Sequence, residues 1–213
     1  MSGLFITFEG IEGSGKSTQA HMLAERLKRK GYDVVLTKEP GGTEVGEHLR
    51  QLLLSAGHLR LSERCELMLF LADRAQHVSE LILPALRSEK IVVSERFADS
   101  TVAYQHYGLG LSLELIERLN EFVTQSLKPH ITFLLDLEPS EGLRRLRLVK
   151  GSLDRVEMRP IEFHERVRMG YLEMAKREPE RFVIIDASLP PNEVAERVWE
   201  RIFRALCGRD RTM

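Results

Sequence analysis

The chain has 213 residues, 31 of them basic and 32 acidic, giving a formal net charge of −1 and a sequence pI near 6.7. That balance excludes a global attraction to nucleic acid or to an anionic membrane. No apolar stretch approaches the roughly 20 residues that a membrane helix requires.

In chain order, near-continuous apolar runs at 5–8, 34–37, 91–94, 131–136 and 182–186 read as strands covered on both faces of a parallel sheet. Helical patterns separate them at 16–30, 44–54, 63–86, 113–127, 141–150, 161–176 and 192–206. The first carries Ala20, Leu23, Ala24 and Leu27 on one face and stops at Gly31. The last repeats Val194, Val198, Ile202 and Leu206 every fourth residue, a core stripe, with Trp199 and Phe203 flanking it as packing residues. Strand–helix alternation from end to end predicts one α/β domain over residues 1–213, a doubly wound parallel sheet that binds ligands at the carboxyl ends of its strands. Cys65 and Cys207 have neither metal-ligand spacing nor a disulfide framework, which predicts incidental reduced thiols. The first residues carry no charged leader, so the expectation is a soluble, cytoplasmic protein.

Residues 10–17 read Gly-Ile-Glu-Gly-Ser-Gly-Lys-Ser, a complete G-x-x-x-x-G-K-[ST] loop between a strand and a helix. Its amides and the helix N-terminus aim positive charge at a phosphate, Lys16 reaches the outer phosphates, and Ser17 offers a hydroxyl to Mg²⁺. A nucleoside triphosphate is the predicted ligand.

The rest of the chain selects the reaction class. Asn120 and Asn192 are each followed by Glu, so no N-K-x-D element for guanine is present. The fourth strand ends Asp136-Leu137-Glu138, without the adjacent acidic pair of a motor-type ATPase. A small phosphotransferase fits better, and it needs cations between two anionic substrates. Arg50, Arg74 and Arg96 fall at element ends that should face the site. Arg144, Arg145, Arg147, Lys150 and Arg155 surround a polar break near Gly151, which reads as a mobile basic lid at about 149–157.

These residues bring the chain close to a known family. Residues 8–18 (Phe8 to Thr18), Glu39-Pro40-Gly41-Gly42-Thr43, Ala72-Asp73-Arg74-Ala75-Gln76-His77, Ser94-Glu95-Arg96-Phe97, Ser100-Thr101-Val102-Ala103-Tyr104-Gln105 and Leu153-Asp154-Arg155 together resemble the thymidylate kinases of bacterial type. The resemblance implies a P-loop, five-stranded parallel sheet flanked by helices, a short lid, transfer of the ATP γ-phosphate to dTMP with Mg²⁺, and a homodimer. It implies ATP contacts from Gly10, Ile11, Glu12, Gly13, Ser14, Gly15, Lys16, Ser17 and Thr18. For dTMP it implies Phe70 stacked on the base, Arg74 and Gln105 on its polar edge, and Thr101 beside it, with Tyr104 either a further substrate contact or a packing residue. Glu12 is then the acceptor for the 3′-hydroxyl, Arg50 and Arg96 hold the monophosphate, and Glu39 orients groups around it. Mg²⁺ falls to Ser17 and Glu95.

Gly13 replaces the arginine that part of the family carries in this loop, so the cation on the transferring phosphate should come from the lid, in the order Lys150, Arg155, Arg147. Glu95 stands where the family usually has Asp, and His106 where it favours glycine. Two alternatives stay open from the residues: a kinase for another nucleoside monophosphate, and an ATP-binding regulator without transfer activity.

Overall fold

The computed structural model describes residues 3–55, 60–149 and 152–209. Five parallel strands form one sheet in the order β2-β3-β1-β4-β5: β1 (Leu4–Glu9), β2 (Val34–Lys38), β3 (Ile91–Glu95), β4 (Ile131–Asp136) and β5 (Phe182–Asp186). β1 lies at the centre, with Phe8 level with Glu95 on one side and with Phe133 on the other. Pleating splits β1, β2 and β3 between two cores. Leu4, Ile6, Phe8, Ile91, Val93, Ile131 and Phe133 pack with Leu23 and Leu27 and with Val194, Val198 and Ile202. Phe5 and Val92 pack with Val78, Ile82, Leu83 and Leu86.

The helices are α1 (Lys16–Arg29), α2 (Glu44–Leu54), α3 (Glu63–His77), α4 (Leu83–Arg87), α5 (Ala98–Thr101), α6 (Leu113–Thr124), α7 (Pro139–Val149), α8 (Ile161–Arg177) and α9 (Pro191–Arg209). The pattern at 63–86 is not one uniform helix: a π-helical turn, Val78–Ile82, joins α3 to α4 just ahead of Pro84. Proline has no N–H to donate, and the widened turn accommodates that loss. The sequence reading also lacked a helix after β3. There α5 runs into a second π-helical segment, Val102–Gly108, which carries Tyr104 and Gln105. π-Helical turns place consecutive side chains differently from α-helix, and Tyr104 and Gln105 both line the cleft described below.

Other expectations need correction. His106, where the family favours glycine, lies in the π-helical segment, half-buried, with its ring against Tyr107. Phe203 is 54% exposed rather than packed, whereas Trp199 is half-buried under the Arg26 guanidinium. Cys65 and Cys207 are free and exposed. Among the described residues no helix is long and apolar enough to cross a membrane.

Candidate active site

The carboxyl ends of β1, β2 and β3 open into a cleft of about 500 Å³. Glu12, Gly13, Lys16 and Ser17 line it from the phosphate loop and the start of α1, with Glu39 from the loop after β2 and Arg50 from α2. Phe70 and Arg74 come from α3, Glu95 and Arg96 from β3, and Thr101, Tyr104 and Gln105 from the α5 and π-helical segment.

Gly10 leaves β1 at φ 139°, where a Cβ would sit 2.6 Å from the Leu135 carbonyl oxygen. Only glycine permits that turn. Gly15 caps α1 without a side-chain hydrogen bond, and the first turn holds no acidic residue. Those first-turn amides are therefore available to an anion. Lys16 Nζ folds back to the Ile11 carbonyl at 2.5 Å and to Ser14 Oγ at 3.3 Å. Burial, aided by the Arg96 charge, pulls its ammonium down to about 7. Ser17 Oγ donates to Glu95 Oε2 at 2.6 Å. The longer Glu95 side chain thus still meets the loop hydroxyl directly.

Arg96 sits at the centre of a polar net. Its φ is 69°, uncommon for a side-chain-bearing residue and a source of strain. The conformation is held because its N–H donates to the Phe8 carbonyl and its own carbonyl accepts from Ser94 Oγ, each at 2.9 Å. The guanidinium donates to Glu12 Oε1 (3.0 Å), the Tyr104 hydroxyl (2.9 Å), the Tyr171 hydroxyl (3.2 Å), Ser100 Oγ (3.2 Å) and the Gly10 carbonyl (3.1 Å). Glu12 also accepts from the Tyr104 hydroxyl, and its Oε2 lies 3.1 Å from His164 Nδ1. Burial alone would push the Glu12 carboxyl up. The His164 hydrogen bond and the Arg96 and Lys16 charges outweigh it and hold the group well below the usual carboxylate range. Burial raises the Tyr104 and Tyr171 phenols well above their ordinary values, so both remain donors.

Arg74 is almost fully buried. Its N–H groups go to Glu39 Oε2 (2.8 Å), Thr101 Oγ1 (2.6 Å), Asn120 Oδ1 (2.9 Å) and the Phe97 carbonyl (2.9 Å). Contact with a base edge therefore requires one of these bonds to be exchanged. Glu39 is also buried, and its other oxygen lies 3.0 Å from His77 Nδ1. It orients Arg74 and His77 directly. Arg50 spends one nitrogen on the Pro40 carbonyl (2.9 Å) and keeps the rest of its fork for the cleft. Phe70 is half-buried and lines the cleft, so it is not simply a core residue of α3.

The lid cations separate. Arg155 is not free to reach a phosphate: it donates to the buried Glu66 at 2.6 Å and to the Leu53 carbonyl at 3.1 Å. In this structure Arg155 is engaged there and does not line the cleft. Arg147 is exposed at the end of α7. Lys150 lies outside the described residues, as does Gly151.

The sequence reading missed Glu9, Glu66, His164 and Tyr171. Glu9, at the end of β1, accepts from the Phe97 N–H (2.7 Å), Ser100 Oγ (2.7 Å) and the Tyr171 hydroxyl (2.8 Å). Burial, reinforced by Asp99, raises its carboxyl to about 7. A polar residue ending an apolar strand beside a glycine loop was the available signal. His164, Tyr171 and Glu66 had none, because only folding brings them against the lining residues Glu12, Arg96 and Gln105.

A profile of the thymidylate kinase family matches residues 8–198. The chain belongs to the thymidylate kinase family. It is 51% identical over 187 residues to a thymidylate kinase of Exiguobacterium sp., covering 88% of each chain. It is 46% identical over 204 residues to one from Halothermothrix orenii, covering 95% of this chain and 97% of the other. The crystal structure of a thymidylate kinase from Ehrlichia chaffeensis superposes with a TM-score of 0.76 at 38% identity, covering 95% and 99% of the two chains. Within this thymidylate kinase family member, the loop glycine at 13 and the carboxylate at 95 are local features of the phosphate end.

Proposed function

We propose that the chain transfers the γ-phosphoryl group of ATP to dTMP, giving dTDP and ADP. The observation that carries this reading is the single cleft joining a phosphate loop, with Lys16 and Ser17, to an end lined by Phe70, Thr101 and Gln105. One end suits a triphosphate. The other offers an aromatic face and amide and hydroxyl groups, which suit a nucleobase.

Residues 10–18 cradle the donor phosphates, with Lys16 on the outer ones. Arg50 and Arg96 hold the acceptor monophosphate between the two ends, where the free part of the Arg50 fork faces the cleft. Phe70 stacks on thymine, Gln105 and Thr101 meet its edge, Tyr104 lies beside the sugar, and Glu12 takes the 3′-hydroxyl. The attacking oxygen belongs to a phosphate already ionised near neutral pH, so the residues position and neutralise rather than remove a proton. Arg147 and Lys150 are the lid cations that remain for the transferring group.

Ser17 and Glu95 fit Mg²⁺ in donor type, since both present hard oxygens and meet at 2.6 Å. Mg²⁺ uses few protein ligands when substrate phosphates supply the others. Among the described residues there is no cluster of three or more acidic, His or Cys ligands, which agrees with that mode. When bound it would neutralise and orient the β- and γ-phosphates.

The reading includes a cytoplasmic homodimer. α3 and α6 pack together and carry the exposed apolar side chains Met68, Leu115 and Phe122 (80% exposed), which a second copy could cover.

The deciding assay measures ADP formation across a panel of monophosphates. Turnover that requires added dTMP and prefers it supports the reading. Equal use of AMP or GMP would move the substrate to another nucleotide, and ATP binding without turnover would leave a regulator.

A further inference from the structure

Glu66 is a buried carboxylate at the base end of the cleft that phosphoryl transfer does not use. It lies in the first turn of α3 with its side chain 3% exposed. Oε2 accepts from Arg155 Nη1 at 2.6 Å and from Arg159 Nη2 at 2.7 Å. Oε1 accepts from Gln105 Nε2 at 3.0 Å. Two guanidinium groups on one oxygen and an amide on the other fix the plane of the carboxyl group.

A carboxylate only accepts hydrogen bonds, whereas a primary amide has one face that donates and one that accepts. Gln105 must therefore turn its NH₂ toward Glu66. Its Oε1 is the atom left over, and Gln105 lines the cleft. Among the described residues nothing donates to that oxygen.

We propose that Glu66 is a specificity-determining positioning residue, which locks the Gln105 amide so that an acceptor faces the base. The chemical class selected is a pyrimidine with a ring N–H at position 3, as in thymine and uracil. Cytosine presents a bare ring nitrogen there, and two acceptors would oppose each other. An unfixed amide would turn and satisfy either base. A buried hydrogen-bonding group left unpaired by the wrong ligand is a strong basis for rejection. Arg155 lies in the lid stretch and Arg159 just after it, so seating these two residues on Glu66 also sets the base reader.

This inference rests on the reading that Gln105 meets the base. The experiment compares kcat/KM for dTMP and dCMP in the wild type, Gln105→Leu, Glu66→Gln and the swap Glu66→Gln/Gln105→Glu. Glu66→Gln is expected to narrow the dTMP:dCMP ratio at least about tenfold, since its oxygen is kept by the two arginines and its NH₂ turns the Gln105 amide so that a donor faces the base. A purely structural role would slow both substrates by one factor and leave the ratio unchanged, which would overturn the proposal. The swap restores a donor at 66 and an acceptor-only group at 105, and is expected to recover the wild-type ratio. Where the single variant loses its fold, the swap carries the test, and an unrecovered ratio refutes the idea. If Gln105→Leu leaves the ratio intact, base reading by Gln105 fails. If that variant narrows the ratio while Glu66→Gln does not, the role of Glu66 alone falls.

Discussion

Gly13 and Gly142 occupy each other's side-chain space. A Cβ on Gly13 would lie 2.2 Å from the Gly142 carbonyl oxygen, and one on Gly142 would lie 2.3 Å from the Glu12 carbonyl oxygen. Both obstacles are backbone, so neither can swing away. The start of α7 is thereby seated on the phosphate loop, and the basic end of that helix projects from a fixed base. Gly142→Ala should push α7 off the loop at a cost of about 1 to 3 kcal/mol. The expected signs are a thermal midpoint lowered by roughly 2 to 4 °C per kcal/mol and a raised KM for ATP. An unchanged midpoint and KM would show that the loop yields without cost.

Lys16 carries a second testable consequence. Without phosphates its ammonium is pulled down to about 7, by burial first and then by Arg96. Polyphosphate charge acts in the opposite sense and favours the protonated form. At pH 8 nucleotide binding should therefore take up protons, and ATP affinity should weaken as pH rises through about 7. Calorimetry in buffers of different ionisation enthalpy measures this uptake directly. Lys16→Met should abolish it and remove at least about 3 kcal/mol of transition-state stabilisation, seen in kcat/KM. Equal heats in all buffers would contradict the assignment.

Much of this fold was legible in the sequence because its physics is local. β4 and β5 end where the apolar runs end, and α2 begins at the Thr43 cap, which accepts from the Gly46 N–H. The phosphate loop was legible because glycine spacing and a following helix are local too. Other features required contacts between distant residues. Arg155 looked like a lid cation by position in the chain, yet Glu66, 89 residues earlier, captures it. The spacing of Leu115 and Phe122 on α6 suits either an internal core or a partner surface, and in the single chain both turn outward. A helical period gives the width of an apolar face, not what covers it.

Glu9 predicts an unusual stability profile. Its folded carboxyl is raised to about 7, mainly by burial, so between about pH 4.5 and 7 the native state holds a proton that the unfolded chain has lost. Stability from this group is fully present below the unfolded value and falls as pH rises through the folded one. Glu9→Gln removes the titration while keeping shape. Relative to wild type, the variant should gain stability with rising pH across that window, by up to about 3 kcal/mol. Urea denaturation at pH 4.5, 6 and 8 reads the difference. A constant offset between the two proteins at all three values would rule out the raised carboxyl.

The last prediction concerns His164, which is 1% exposed and reaches Glu12 through Nδ1 while its Nε2 has no partner among the described residues. With Glu12 ionised, Nδ1 is the nitrogen that carries hydrogen toward it. Tyr104 and Arg96 hold the other Glu12 oxygen. His164 therefore sets the rotation of the carboxylate proposed to take the sugar 3′-hydroxyl. Asparagine can place an amide N–H close to the position of Nδ1, whereas phenylalanine cannot. His164→Phe should reduce the preference for dTMP over its 3′-deoxy analogue by about fivefold or more, the loss of one hydrogen bond to a charged acceptor. His164→Asn should retain most of that preference. If both variants kept the wild-type preference, the Glu12 orientation would have to be set by Tyr104 and Arg96 alone.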